Sequence, residues 1–280
     1  MTAVLLALLT AASYGVANYL GPLLARRVPL GGILLVGQVV GVVGSLGLVA
    51  VTGFGEPGSA GVLLGLAAGL FNGIAIASFY RAASTGSISI VAPIGSTGAV
   101  VPVVVGILSG DRPSVLQYVG IPLAVLGVAL AAARQAPPEG SKAPAASSVG
   151  LALFSAVMFG LFLTVFAEAS ERGAPAAVLT SRISLLLGTL LVVAVARIAW
   201  RLPRGDLPAA ALPGLLLVIG TIAYGAATTQ GLLSVVSVLA TLSPVVSVAL
   251  AVLLLGERVT GRQRVGVAVA LTGVVLLAAG

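Results

Sequence analysis

The stretch "LGGILLVGQVVGVVGSLGLVAVT", residues 30–52, runs its whole length without a charged side chain. About 20 apolar residues is what an α-helix needs to cross a hydrocarbon core about 30 Å thick. Ten tracts of this kind occupy the chain, at residues 2–24, 30–52, 60–80, 87–109, 114–134, 148–168, 176–199, 208–230, 233–255 and 261–279. Lipid offers no water to satisfy backbone amides, so each crossing is a helix or part of a closed barrel. The tracts are long and do not alternate strictly, which excludes the barrel. Composition agrees, with 59% hydrophobic and 8% charged residues, against roughly 25% charged in soluble domains. The fold class expected is therefore all-α integral membrane, with ten transmembrane helices. The first tract lacks a basic start and its apolar stretch continues past Ala12, so it reads as a crossing rather than a cleaved signal.

The chain repeats itself. "GDRPS" at 110–114 superposes on "GERVT" at 256–260, and the match continues through Val119/Val265, Gly120/Gly266, Gly127/Gly273 and Val128/Val274. Near the start, "ALLTAASYG" at 7–15 lies over "ALFSAVMFG" at 152–160. Two five-helix repeats are expected, residues 1–134 and 148–280. They are joined by a polar, Pro-, Ser- and Ala-rich linker at 135–147. An odd number of crossings forces the second copy to enter the membrane from the opposite side. The repeats are then inverted, an architecture of alternating-access transporters whose site lies near the midplane between the repeats.

Charge sets the orientation. Arg26, Arg27, Arg81, Arg134, Lys142, Arg197, Arg201, Arg204, Arg258, Arg262 and Arg264 all fall in odd-numbered loops. Only Arg112 and Arg172 fall in even ones, and Arg182 lies inside a tract. By the positive-inside rule the odd loops are cytoplasmic and both termini face out of the cell membrane. The net charge of +7 is scattered, without the dense aromatic-interleaved patch that nucleic acid uses, so no nucleic-acid partner is expected.

The chemistry available is narrow. There is no G-x-x-x-x-G-K, and the single lysine, Lys142, lies in the linker, which excludes a P-loop ATPase. Without His or Cys there is no Ser-His protease, disulfide or His- or thiolate-ligated metal site. Asp111 and Asp206 fall on opposite faces, which excludes a paired aspartyl site. The expectation is no enzyme, no cofactor and no metal.

The segment "SVLATLSPVVSVALAVLLLGERVTGRQRVGVAVALTGVVLLAAG", Ser237 to Gly280, resembles the second repeat of the EamA family of the drug/metabolite transporter superfamily. The similar features are Pro244 partway along the ninth tract, the G-E-R turn and a Gly-spaced last tract. In the first copy Gly98 stands where Pro244 maps, with Pro93 and Pro102 nearby, and Asp111 replaces Glu. The resemblance implies secondary-active export or exchange of small metabolites, amino acids or drugs, driven without nucleotide, by a monomer or weak homodimer. It also implies that crossings 1, 3, 4, 6, 8 and 9 surround a central cavity. Members are commonly drawn with both termini in the cytoplasm, opposite to the charge count. A lipid or lipid-linked-sugar translocator of the same fold and a non-transporting membrane scaffold are the alternatives.

Candidate residues follow from polarity inside the tracts. Arg182 in "VLTSRISLLLG" is costly in lipid. It meets an anionic group of the substrate, pairs with Glu168, or snorkels to the headgroups. Glu168 is the candidate for proton coupling, with an end-of-helix role as its plain alternative. The related small multidrug resistance proteins carry a buried Glu in their first helix, and the first tract here has no acid. Its polar face is Tyr14 with Asn18, four residues apart, with Phe159 and Phe162 in the matching region of the sixth. Gln38, Asn72, Ser96, Thr97, Tyr224, Thr228 and Thr241 complete the cavity candidates, each with a helix-packing hydrogen bond as its alternative. Neutral donors and aromatic rings suit an amphipathic or zwitterionic solute. Pro93, Pro102 and Pro244 are expected to bend their helices as hinges. Gly61, Gly65, Gly69 and Gly73 form a small-residue stripe for sliding or for static packing, while Gly120, Gly127, Gly266 and Gly273 are expected to join crossings 5 and 10.

Overall fold

The computed structural model describes residues 1–25, 27–85, 88–132, 146–255 and 260–280. The "GERV" turn at 256–259 and the connector at 133–145 lie outside the described residues. The helices are α1 (Thr2–Leu24), α2 (Leu30–Thr52), α3 (Gly58–Thr85), α4 (Ile88–Gly95), α5 (Val100–Leu108), α6 (Val115–Ala132), α7 (Ala146–Val195), α8 (Leu207–Thr228), α9 (Leu233–Ala240), α10 (Ser243–Leu255) and α11 (Gly261–Ala279). No strand occurs among the described residues. Leu5, Val43, Leu63, Leu126, Leu191 and Leu253 are exposed on the outside of the bundle. Such an apolar exterior is what lipid solvates.

Among the described residues nine helical spans are long and apolar enough to cross a membrane, one of them 49 residues long. The tenfold reading differs here, because the sixth and seventh tracts lie in the single run α7. That run is interrupted at Gly173, whose φ of 161° and ψ of 92° are extended rather than helical, leaving two helical arms. The expected end of the seventh tract also retreats, from 199 to Val195. The third lengthens to Gly58–Thr85.

The repeats interlock. α1 packs on α8, α9 and α10, α2 on α7 and α8, and α3 on α7. The duplication reads directly in the contacts of glycine. A methyl at Gly15 of α1 would strike Val246 and the Ser243 carbonyl, while one at Gly160 of α7 would strike Val101 and the Gly98 carbonyl. Each residue of the second set lies 145 positions from its counterpart in the first, so the halves exchange the same contact. α6 and α11 do likewise. Gly127 abuts Ala270 and Gly273 abuts Ala124; Gly120 abuts Leu276 and Leu277, and Gly266 abuts Leu130 and Ala131. Partner numbers fall as residue numbers rise, so the two helices run antiparallel about the axis relating the inverted repeats.

Both of these helices begin on the same device. Thr260 Oγ1 accepts from the Gln263 amide at 3.2 Å and Gln263 Oε1 accepts from the Thr260 amide at 3.0 Å. Ser114 and Gln117 repeat this at 3.3 and 3.0 Å. These reciprocal capping boxes satisfy amides that the first turn leaves free.

Candidate functional site

The fourth and ninth crossings are each broken near their middle. α4 passes through a 3-10 turn at Ser96–Ala99 into α5, and α9 ends at Ala240 before α10 restarts at Ser243. Hydroxyls mark both breaks: Ser96 Oγ donates to the Pro93 carbonyl at 2.7 Å, and Thr241 Oγ1 to the Val238 carbonyl at 2.9 Å. Thr97 adds a bond to the Ile94 carbonyl at 2.7 Å. A side chain that bonds a carbonyl three residues back competes with the helix ladder. Pro93, Pro102 and Pro244 flank these breaks, and the proline at 244 has no N–H to offer the Ala240 carbonyl.

Each break is held by the other repeat. The Gly98 region packs on Ala156 and Phe159 of α7, and Ser247 Oγ donates to the Gly15 carbonyl of α1 at 2.8 Å. Asp111, beyond α5, reaches across to α9, where its Oδ2 accepts from the Ser234 amide at 2.8 Å. A carboxylate at a helix N-terminus is stabilised by the orphan amides and the helix dipole. Gly106 leaves the room: a methyl there would sit 2.5 Å from Asp111 Oδ2.

At the centre of the bundle Arg182, in the second arm of α7, is 5% exposed. Its Nη2 donates to the Leu217 carbonyl at 2.6 Å and to Thr221 Oγ1. The Tyr14 hydroxyl shares Thr221 Oγ1 at 2.9 Å, so one cluster ties α1 of the first repeat to α7 and α8 of the second. Gly220 admits the Tyr14 ring and Gly41 admits the arginine stem, a methyl at Gly41 lying 3.3 Å from Cδ. Gly69, Asn72, Phe162, Ser181, Leu185 and Thr221 enclose a gap beside the guanidinium too narrow to admit a water molecule. Arg182 thus neither snorkels nor meets Glu168: its carbonyl and hydroxyl partners lie inside the bundle. Glu168 is half exposed and pairs with Arg172, one turn on, at 2.7 Å.

A second buried network lies alongside. The Tyr224 hydroxyl donates to the Leu163 carbonyl at 3.1 Å and bonds Ser237 Oγ at 2.8 Å. Phe159, Phe162, Phe166 and Tyr224 form a row with ring centroids 5.7, 5.7 and 6.1 Å apart. Phe162 belongs to both the row and the gap at Arg182.

The other candidates fall around these networks. Thr228 is buried and donates to the Gly225 carbonyl at 3.0 Å. Gln38 is buried on α2 with its Oε1 lacking a partner. Asn18, one turn beyond Tyr14, is exposed and outside the cluster. The stripe on α3 seats α7: Gly61 faces Arg172, Gly65 faces Ala177 and Thr180, Gly69 faces Ser181 and Ser184, and Gly73 faces Leu185. Sequence reasoning passed over Thr221, Gly15, Gly160 and both capping boxes, and it gave Asp111 no bond to the other repeat. The boxes had a readable signal, S-x-x-Q at 114–117 and T-x-x-Q at 260–263. Thr221 had none, because its partners come from distant helices.

A solved crystal structure shares this fold, with a TM-score of 0.79 over 98% of this chain and 94% of its own, at 15% sequence identity. No curated protein matches the sequence. The model of the EamA-like transporter family matches residues 1–133 and again residues 146–279, one match to each interlocked half. With both halves matched and an all-helical inverted-repeat membrane fold, the chain belongs to the EamA-like transporter family.

Proposed function

We propose that this protein is a secondary-active exporter that moves small metabolites by alternating access, each repeat of residues 1–134 and 148–280 supplying one broken crossing. The observation that supports this reading is the duplicated break at Ser96 and Thr241, set beside a buried polar cluster that joins the two repeats. Discontinuous helices at a repeat interface are where transporters of inverted-repeat design bind their solutes. Tyr14, Thr221, Arg182 and Tyr224 form the polar lining, and Phe159 and Phe162 the apolar one. Opening the closed gap at Arg182 requires α7 and α8 to part from α1 and α3, which the hinged fourth and ninth crossings accommodate.

The test is flux in proteoliposomes against a panel of labelled amino acids, nucleosides and cationic drugs. The wild type accumulates at least one of them, and the combined Tyr14→Ala and Tyr224→Ala variant does not. Equal flux from both proteins would mean that these side chains line no pathway. Where a pH gradient drives uptake, Glu168→Gln removes the response to it while leaving exchange intact.

The charge asymmetry supports termini outside the cell membrane, and the absence of native cysteine makes the test clean. A membrane-impermeant maleimide is expected to label Ser109→Cys on intact cells and Arg201→Cys only after permeabilisation. The reverse pattern would invert the topology.

A further inference from the structure

The charge on Arg182 has no counter-ion among the described residues. Among the described residues it is the only buried charged side chain, and the one ion pair is the half-exposed Glu168–Arg172 bridge. A guanidinium keeps its proton in proteins and offers five N–H donors in a planar fork. Both observed bonds use Nη2 and go to neutral oxygens, Leu217 O and Thr221 Oγ1. Among the described residues nothing accepts from Nε or Nη1. A buried charge is ordinarily paired, because desolvation is costly otherwise.

A second unmet demand lies close by in the fold. Gln38 is 5% exposed and its Oε1 is a buried acceptor without a donor. It sits one turn before Gly41 on the face of α2 that packs on Arg182. The gap beside the guanidinium is lined by Asn72, Ser181, Phe162 and Leu185. The guanidinium asks for one negative charge in a planar, two-oxygen form, the Gln38 oxygen on the neighbouring face of α2 for one hydrogen-bond donor, and Phe162 and Leu185 for an apolar body.

We infer that the substrate of the site is a monocarboxylate carrying a hydroxyl or ammonium donor and an apolar group, its carboxylate completing the ion pair with Arg182. This rests on the transporter reading above and names its substrate class. A single guanidinium balances one negative charge, so a dianionic phosphate leaves a residual charge in the bundle and is disfavoured. Lysine in place of arginine keeps the charge but loses the fork that meets both carboxylate oxygens.

The experiment is thermal unfolding of the purified full chain in detergent with acetate, benzoate and mandelate, each against its own amide, and with inorganic phosphate. A ligand that binds only the folded protein raises its apparent stability with concentration. The expected result is a rise with mandelate that exceeds the rise with benzoate and acetate, and no rise with any amide or with phosphate. Arg182→Gln loses the rise and Arg182→Lys retains a reduced one. Because acid and amide are compared on the wild type, the result stands even where Arg182→Gln fails to fold. Equal response to acids and amides, a larger response to phosphate, or no response to any acid overturns the assignment. Flux of a neutral or cationic solute in the proteoliposome panel, with no carboxylate effect, would sink the carboxylate assignment alone. Absence of both would sink the transporter reading with it.

Discussion

Tyr224 is fully buried and spends its hydroxyl on two partners, the Leu163 carbonyl and Ser237 Oγ. Tyr224→Phe keeps the ring and its aromatic neighbours and removes only those bonds. Side-chain hydrogen bonds inside membrane proteins average about 0.6 kcal/mol and reach about 1.7 kcal/mol, so Tyr224→Phe is expected to lower thermal stability by an amount in that range. Tyr224→Ala also empties the space beside Phe166, and large-to-small core changes of this size cost about 3–5 kcal/mol. Asp111 acts at the same scale but between repeats. Asp111→Ala strands the Ser234 amide in the first turn of α9, at a cost of about 1 kcal/mol by comparison with lost helix caps. Asp111→Asn restores part of that stability through its side-chain oxygen. Unfolding midpoints of the three proteins check the order, and an Asp111→Ala protein as stable as the wild type would remove the cap from the account.

At the scale of elements the α6–α11 joint is closed backbone against backbone. A side chain at Gly127 meets the Ala270 backbone and one at Gly273 meets that of Ala124. Backbone cannot move aside as a flexible side-chain tip does. Overpacking costs about 1–3 kcal/mol per site, occasionally more, so Gly127→Leu with Gly273→Leu is expected to abolish a monodisperse peak in size-exclusion chromatography. Gly47→Leu is the control, since nothing lies within 4 Å of a methyl there, and it should behave as the wild type. Much of this layer was legible beforehand. The apolar tracts and the repeated "GDRPS" and "GERVT" stretches depend on local composition and on comparison of the chain with itself. The breaks were only half legible. Proline drew attention to the fourth and ninth tracts, yet the interruptions coincide with Ser96 and Thr241, whose hydroxyls bond three residues back. Arg182 shows the limit: its inward setting depends on Thr221, 39 residues away, and its cluster on Tyr14, 207 residues from Thr221. No local pattern encodes a partner at that separation.

At the scale of the whole molecule neither repeat holds its own core. α1 and α2 find their main packing partners in α7, α8, α9 and α10, all in the second half. Residues 1–133 expressed alone are therefore expected to be degraded, and residues 146–280 likewise. Expressed together, the two pieces should co-purify, because the surfaces that hold them are the bundle interior and not the connector. Recovery of a stable single half would show that the repeats fold independently.

The interlocking of α1 with α8 also sets a timetable for the ribosome. Tyr14 is made before its hydroxyl's partner, Thr221, which follows 207 residues later. At about 5–20 residues per second, α1 waits in the bilayer on the order of ten to forty seconds before α8 arrives. During that interval its small-residue face, Ala7, Ala11 and Gly15, stands open to any other helix in the membrane. Biogenesis of this chain thus depends on keeping a nascent helix from strange company, and slowing translation between the two repeats should lower the yield of assembled protein.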